Sequence, residues 1–243
     1  MRNSTSPHLI LASASPARLK LLRAAGIEPE VLVSGVDEST VDAEKADSLC
    51  LDLARLKAEA IVDRVRADQA AGRREIPPGT LVLGCDSVLA FDGEILGKPT
   101  DAADATARWR RMRGRSGVLH TGHCLIETAP THAGDGGHTA GGAGGGHADR
   151  RAEAVAATVV HFADVSDAEI AAYVATGEPL QVAGAFTIDG LGGPFVERVE
   201  GDAATVVGLS LPLLRHLLGR LDVRITDLWH DPTPGGEAAP PLH

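Results

Sequence analysis

Short apolar runs alternate with amphipathic stretches of helical spacing in the first half of the chain. The four apolar residues 9–12 predict a buried strand. Ser15 suits an N-cap and Pro16 suits the first position of a helix, so we expect a helix to continue over residues 17–25. Gly26 suits the end of that helix.

The same kind of pattern continues along the chain and predicts its other elements. Further strands are predicted at residues 30–34, 80–84, 118–127 and 154–162, and further helices at 47–71, 101–113, 166–176 and 210–218. Asp92-Gly93 is a strong two-residue turn signal, so residues 88–96 are predicted to form a hairpin. Helices alternate with strands early and hairpins follow, which predicts an α/β fold: a mixed, twisted sheet flanked by helices.

One segment differs in composition from the rest. Residues 132–147 contain eight glycines and three histidines, too few apolar groups to offset the entropy of ordering them. We therefore predict a single domain over residues 1–229 with a disordered insertion at 130–150, and a flexible tail at 230–243. The histidines of the insertion are not expected to form a functional metal site; they are His132, His138 and His147.

Composition narrows the classes of function. The 23 Lys and Arg against 33 Asp and Glu leave a net charge of −10, which argues against a nucleic-acid polymer as partner, although a few local cations suffice for a small phosphorylated ligand. No apolar run approaches the roughly 20 residues that span a bilayer, so no membrane partner is expected. Three scattered cysteines, without a CxxC pair, argue against a disulfide framework and favour a cytoplasmic location.

The turn between the first strand and the first helix is a candidate anion site. Free backbone N–H groups at a helix start attract anions, and Ser13, Ser15 and Arg18 add hydroxyl and guanidinium donors there. The alternative is an ordinary serine N-cap beside a solvated arginine.

The second candidate is Asp86, which follows the apolar strand predicted at 80–84. A carboxylate at a strand end suits a general base or a metal ligand, and the alternative is an aspartate that closes a turn. Lys98 follows the hairpin and could return toward Asp86 to neutralise phosphate, although an isolated lysine is usually on the surface. Lys57 lies beside Leu56 on the long predicted helix and could point inward at the helix edge, but periodicity alone favours a solvated side chain.

The third candidate is the glycine-rich stretch 183–193, where the backbone could approach a ligand or form tight turns. No single motif is specific, but seven occur in the order seen in the Maf family of nucleoside triphosphate pyrophosphatases. They lie at residues 13–22, 36–38, 53–58, 83–87, 93–99, 173–179 and 183–193. The resemblance covers roughly residues 9 to 220.

The resemblance implies an α/β fold with two lobes around a central cleft, a homodimer and a divalent cation, Mg²⁺ or Mn²⁺. It implies hydrolysis of a nucleoside triphosphate to the monophosphate and pyrophosphate, for nucleotide-pool cleansing or control of cell division. By match to the family motifs, Asp86 is the proton acceptor and Glu38 joins it near the metal. The implied phosphate-binding residues are Ser13, Arg18, Lys57 and Lys98.

Three positions depart from the usual family pattern. Ala17 replaces an arginine, Ser87 replaces a threonine and Asp189 replaces a glutamine, at positions linked with the choice of base. A carboxylate at Asp189 would favour bases that present N–H donors, such as guanine or cytosine. The missing arginine at Ala17 also leaves open a nucleotide-binding regulator of cell division without turnover, whereas Arg18, Asp86 and Lys98 favour an enzyme. A phosphatase with another leaving group is a third alternative.

Overall fold

The computed structural model describes residues 7–41, 43–129 and 148–230. Its strands are β1 Leu9–Leu11, β2 Glu30–Val31, β3 Leu81–Phe91, β4 Glu94–Leu96, β5 Ser116–Glu127, β6 Arg150–Phe162 and β7 Val196–Glu200. Its α-helices are α1 Pro16–Ala24, α2 Ala46–Ala70, α3 Ala102–Met112, α4 Asp167–Ala175, α5 Ala203–Val207 and α6 Leu211–Arg220. Short 3-10 turns lie at Glu38–Thr40, Glu178–Gln181, Ala183–Ala185, Gly193–Phe195 and Ile225–Leu228.

The strands form one mixed sheet in the order β2-β1-β3-β5-β6-β7, with β4 paired to β3. The β2-β1-β3 part is parallel, and all other pairs are antiparallel. Helices flank this sheet, so the predicted α/β class with a mixed sheet is confirmed.

One edge of β3 is interrupted. Leu81, Val82 and Leu83 pair with β1, whereas Leu89, Ala90 and Phe91 pair with β4. The opposite edge of β3 pairs with β5 from Leu81 to Ala90. Residues 84–88 therefore pair with β5 alone among the described strands, and we call this stretch the β3 gap.

Three principal apolar clusters stabilise the fold. One packs α1 and α6 against the sheet around Leu22, Leu83 and Leu218, and a second packs α2 against the other face around Ile61. The third surrounds Trp109 of α3 and includes the end of β3 and residues of α4. The first two clusters contain β3 residues up to Cys85 and the third begins at Leu89, so the β3 gap covers the transition between them.

Two glycines let α2 approach the sheet closely. A Cβ atom on Gly84 would lie 2.1 Å from the Ala54 carbonyl oxygen, and one on Gly122 would lie 2.3 Å from the Cys50 carbonyl oxygen. Both distances are far below van der Waals contact, so only glycine fits beneath the helix. This close packing sets the height of α2 above β3.

Most predicted elements are present, with changed boundaries. Ser15 caps α1, and Asp92 and Gly93 form the predicted hairpin turn with φ of 56° and 80°. The prediction that a strand ends at Gly84 was wrong: β3 continues to Phe91, because β5 pairs with it along nearly its whole length.

The second half of the chain departs from the predicted elements in two places. The strand predicted from residue 154 begins at Arg150, within the predicted insertion, and β7 and α5 were not predicted. His132, His138 and His147 lie outside the described residues, as does the tail from 231 onward. In the described part of the chain, no helix combines the length and apolar character needed to cross a bilayer.

Candidate functional site

The Arg18 guanidinium is buried beside the β3 gap and held from three directions. Its Nε donates to the Gly208 carbonyl oxygen at 2.7 Å, and its two terminal nitrogens donate to Ser13 Oγ at 3.0 Å and Ser87 Oγ at 3.2 Å. Arg18 lies in the first turn of α1, where Ser15 Oγ accepts from its backbone N–H. The structure therefore gives this arginine fixed partners, which excludes a freely solvated side chain.

The Ser13 hydroxyl accepts two hydrogen bonds and donates none to the residues that the structure describes. Its Oγ accepts hydrogen bonds from the Arg18 guanidinium and from the Ser15 backbone N–H. A hydroxyl oxygen has two acceptor positions and one proton. Both acceptor positions are filled, so the Ser13 proton is left for another acceptor, such as a ligand oxygen.

Asp86 lies in the middle of β3, on the face covered by α2. Lys57 of α2 places its Nζ 2.5 Å from Asp86 Oδ1 and 2.7 Å from Glu38 Oε1. The Asp86 and Lys57 side chains are about nine-tenths buried, whereas Glu38 is half exposed on its 3-10 turn. The expectation of a solvated Lys57 was wrong, because its neighbours on α2 pack closely over Gly84 and carry the ammonium onto Asp86.

Burial controls the electrostatics of Asp86. Loss of water raises the pKa of the Asp86 carboxyl above its ordinary value, although the cationic Lys57 and Arg18 side chains oppose this rise. A raised pKa strengthens the carboxylate as a base while the two cations keep an ionised form accessible. The Asp86 carboxylate can therefore accept a proton close to the Lys57 and Arg18 cations.

The structure does not bring every predicted site residue into one cluster. Ser13, Arg18 and Ser87 form one connected group, and Glu38, Lys57 and Asp86 form another, joined through the neighbouring residues 86 and 87 of β3. Lys98 is exposed after β4 and, among the residues that the structure describes, hydrogen-bonds to none. Asp189 is exposed in the glycine-rich stretch, and Ala17 is half-buried on α1.

A hard divalent cation fits the donors present. The carboxylates of Glu38 and Asp86 both contact one ammonium group, so their oxygens lie close together. Mg²⁺ typically takes one or two carboxylates and completes its shell with water and substrate phosphate. Within residues 7–41, 43–129 and 148–230, no group of three or more His, Cys, Asp or Glu side chains is arranged for a metal.

Glu178 organises the glycine-rich stretch, a role not predicted from the sequence. Its carboxylate accepts hydrogen bonds from Tyr173 Oη, Thr187 Oγ1 and the backbone N–H groups of Leu191 and Gly192. Partial burial opposes its ionisation, but these donors leave the pKa of Glu178 below its ordinary value. Its position in the Gly-Glu-Pro motif was the available signal.

A mixed sheet with an interrupted edge, where buried cations and carboxylates meet, defines an α/β protein with a cluster of charged side chains suited to a charged small ligand. The chain belongs to the Maf family, whose profile, described as Maf-like protein, matches residues 8–221.

Close relatives agree with this membership. The chain is 62% identical to a Salinispora tropica protein over 245 residues, which cover 99% of this chain and 97% of the relative. It is 50% identical to a Streptomyces avermitilis protein, in an alignment that covers 94% of this chain and 98% of the relative. It is 52% identical to a Streptomyces coelicolor protein, in an alignment that covers 91% of this chain and 94% of the relative. All three relatives are named nucleoside triphosphate pyrophosphatase.

Proposed function

We propose that this chain hydrolyses a nucleoside triphosphate to the monophosphate and pyrophosphate. The observation that carries the proposal is the buried Asp86–Lys57 pair, which adjoins the Arg18 anchor along the β3 gap. The names of the relatives support the same activity. Hydrolysis at this site would serve nucleotide-pool cleansing or control of cell division.

In the proposed reaction, Asp86 orients a water molecule and takes one of its protons. The water oxygen bonds to the α-phosphorus, and the bond from that phosphorus to the oxygen that bridges to the β-phosphate breaks, releasing pyrophosphate. The raised pKa of Asp86 suits it to this proton transfer.

Phosphate binding is assigned to the cations and donors around the gap. Arg18 keeps unused N–H groups, and Ser13 keeps its hydroxyl proton, so both can donate to phosphate oxygens. Ser15 and the backbone at the start of α1 add the N-terminal end of a helix. Lys57 is the buried cation beside the base, and the exposed Lys98 would reach the phosphates from the loop after β4.

A divalent cation, Mg²⁺ or Mn²⁺, would be held by Glu38 and Asp86. When bound, it supplies neutralisation of the charge that grows on the leaving pyrophosphate. The Lys57 ammonium already contacts both carboxylates, so this chain's own residues hold the two acids together.

Base choice is proposed to depend on Ala17, Ser87 and Asp189. The exposed carboxylate of Asp189 can only accept hydrogen bonds when ionised, which favours guanine or cytosine over thymine or uracil. We further propose a homodimer located in the cytoplasm.

The decisive experiment measures pyrophosphate release from the common triphosphates with Mg²⁺ or Mn²⁺. Asp86→Asn should lower kcat by at least about 100-fold, because the amide cannot accept the proton. Asp92→Asn is a matched control: its carboxylate is exposed in the hairpin turn, and asparagine tolerates positive φ.

Each alternative has its own outcome in this assay. Nucleotide binding without turnover would identify a regulatory protein and overturn the proposal, and release of orthophosphate would indicate another leaving group. Unchanged turnover in Asp86→Asn would remove that residue from the role of base. A preference for dTTP or UTP that persists in Asp189→Ala would contradict the proposed role of Asp189.

A further inference from the structure

The hydrogen bonds around Arg18 have determined directions. A guanidinium group has five N–H donors and no acceptor. Arg18 uses three of them on Gly208 O, Ser13 Oγ and Ser87 Oγ, which leaves one N–H on each terminal nitrogen unused by any described residue. Those two N–H groups can serve a ligand only if the guanidinium plane is held in place.

The Ser87 hydroxyl is itself held by a second hydroxyl. Thr121 Oγ1 lies 2.9 Å from the Thr205 carbonyl oxygen and 2.9 Å from Ser87 Oγ. A carbonyl oxygen can only accept, so Thr121 donates its single proton to Thr205. Ser87 must then be the donor to Thr121, and its oxygen lone pairs are presented to Arg18.

These contacts form a chain of four groups, Arg18, Ser87, Thr121 and the Thr205 carbonyl, which we call the hydroxyl relay. Thr121 and Thr205 have no exposed surface, so water does not replace a lost partner there. The relay begins at α5 and ends on the guanidinium, whose Nε is held by Gly208 at the end of the same helix.

We propose that Thr121 is a positioning residue for phosphate binding, which acts through Ser87 to fix the orientation of the Arg18 guanidinium. The inference rests on the proposed function in one respect, namely that Arg18 binds phosphate. It also limits Ser87: with its proton committed to Thr121, Ser87 meets a ligand only as a hydrogen-bond acceptor.

The test replaces Thr121 with valine, which keeps its shape and removes the hydroxyl. Binding of inorganic pyrophosphate to the full chain is measured by calorimetry, and the order of the Arg18 Nε–H bond by NMR relaxation. Thr121→Val should weaken pyrophosphate binding about tenfold and lower the order of Arg18, because an oriented hydrogen bond to a charged group is lost. Thr121→Ser keeps the hydroxyl, so pyrophosphate binding and the order of Arg18 should stay as they are in the unmodified chain.

Thr158→Val is the matched control. Thr158 is also buried, and its hydroxyl donates to the Asp202 carbonyl oxygen at the start of α5 at 2.9 Å, without contact to Arg18. It should lower stability in the same way as Thr121→Val while pyrophosphate binding and the order of Arg18 stay unchanged. Equal effects of the two variants on Arg18 would overturn the proposal.

A double-mutant cycle isolates the route of the effect. In an Arg18→Ala background, Thr121→Val should not weaken pyrophosphate binding further, because the residue through which Thr121 acts is absent. An undiminished effect of Thr121→Val in that background would overturn the relay, as would unchanged Arg18 order in folded Thr121→Val. If the unmodified chain binds no pyrophosphate but Thr121→Val still loosens Arg18, the phosphate-binding assignment is wrong and the positioning contact stands.

Discussion

Asp86 and Ser87 are neighbours on β3 whose side chains point to opposite faces of the sheet, because side-chain direction alternates along a strand. Asp86 meets Lys57 from α2, and Ser87 meets Arg18 from α1. One peptide unit therefore joins the proposed base to the serine that contacts the Arg18 anchor, so the separation of Asp86 and Ser87 is fixed by covalent geometry rather than by loop packing.

The environment of Asp86 predicts a pH profile. Burial raises the pKa of Asp86, and the proposed base works only when ionised, so activity should fall as pH falls through that raised value. The acid limb of kcat/KM for pyrophosphate release should lie above the range of an ordinary aspartate. Lys57→Gln should move it to higher pH, because the ammonium lowers the pKa of Asp86. A limb that stays in the ordinary range, or moves down in Lys57→Gln, would contradict this explanation.

At the scale of elements, the packing of α2 over β3 predicts the effect of a single methyl group. Gly84→Ala would place Cβ against the Ala54 carbonyl oxygen, so the helix must move outward and carry Lys57 away from Asp86. We expect a loss of about 3 kcal/mol in the free energy of unfolding, the upper end for overpacking, together with a fall in kcat/KM.

Gly219 offers the matched control for that experiment. It lies on α6, and apart from its two chain neighbours and its own helix backbone no described atom comes within 4 Å of the place that a Cβ would take. Gly219→Ala should therefore stabilise the helix by about 0.5–1 kcal/mol and leave activity unchanged. Denaturant titration and pyrophosphate assays measure both variants. Equal stability of Gly84→Ala and the unmodified chain would show that α2 tolerates displacement.

Local signals predicted the elements whose causes are local. The Asp92-Gly93 turn and the Ser15 cap depend on residues within a few positions of each other, and both were predicted correctly. The five-residue α5 was not predicted, because a segment this short carries little periodic signal.

Features that depend on distant partners could not be obtained in this way. The polar Asp86 suggested the end of a strand, but the pairing of β3 with β5 continues through it. Lys57 was predicted to be solvated, but its partner Asp86 lies 29 residues further along the chain. The only sequence signal at Thr121 was the alternation of side-chain directions in a predicted strand. That signal does not show that its hydroxyl donates to the Thr205 carbonyl oxygen, 84 residues further along the chain.

At the scale of the whole molecule, the same strands contribute to the clusters on both sides of the β3 gap. β3 supplies Leu83 to the first cluster and Leu89 to the one around Trp109, and β6 supplies Ala152 and Val160 in the same way. Loss of either cluster would therefore disturb the strands of the other. We expect the described core to unfold in a single cooperative transition.

The two tryptophans of the chain allow this to be measured. Trp229→Phe leaves Trp109, buried in the third cluster, as the fluorescent reporter, and Trp109→Phe leaves Trp229, which lies against Gly26 near the first. Within each variant, fluorescence and far-ultraviolet circular dichroism should give the same denaturant midpoint. Separate midpoints would show that the two ends unfold independently.

The two glycines beneath α2 also bear on how the strands align during folding. A slip of β3 by one residue would turn Ser87 toward α2 and Asp86 away from it, exchanging the proposed base with the anchor contact. The same slip would bring the side chain of Cys85 under the helix, where not even one Cβ atom fits. The steric clash at the place of Gly84 therefore disfavours the same misalignment that would move the proposed base away from α2.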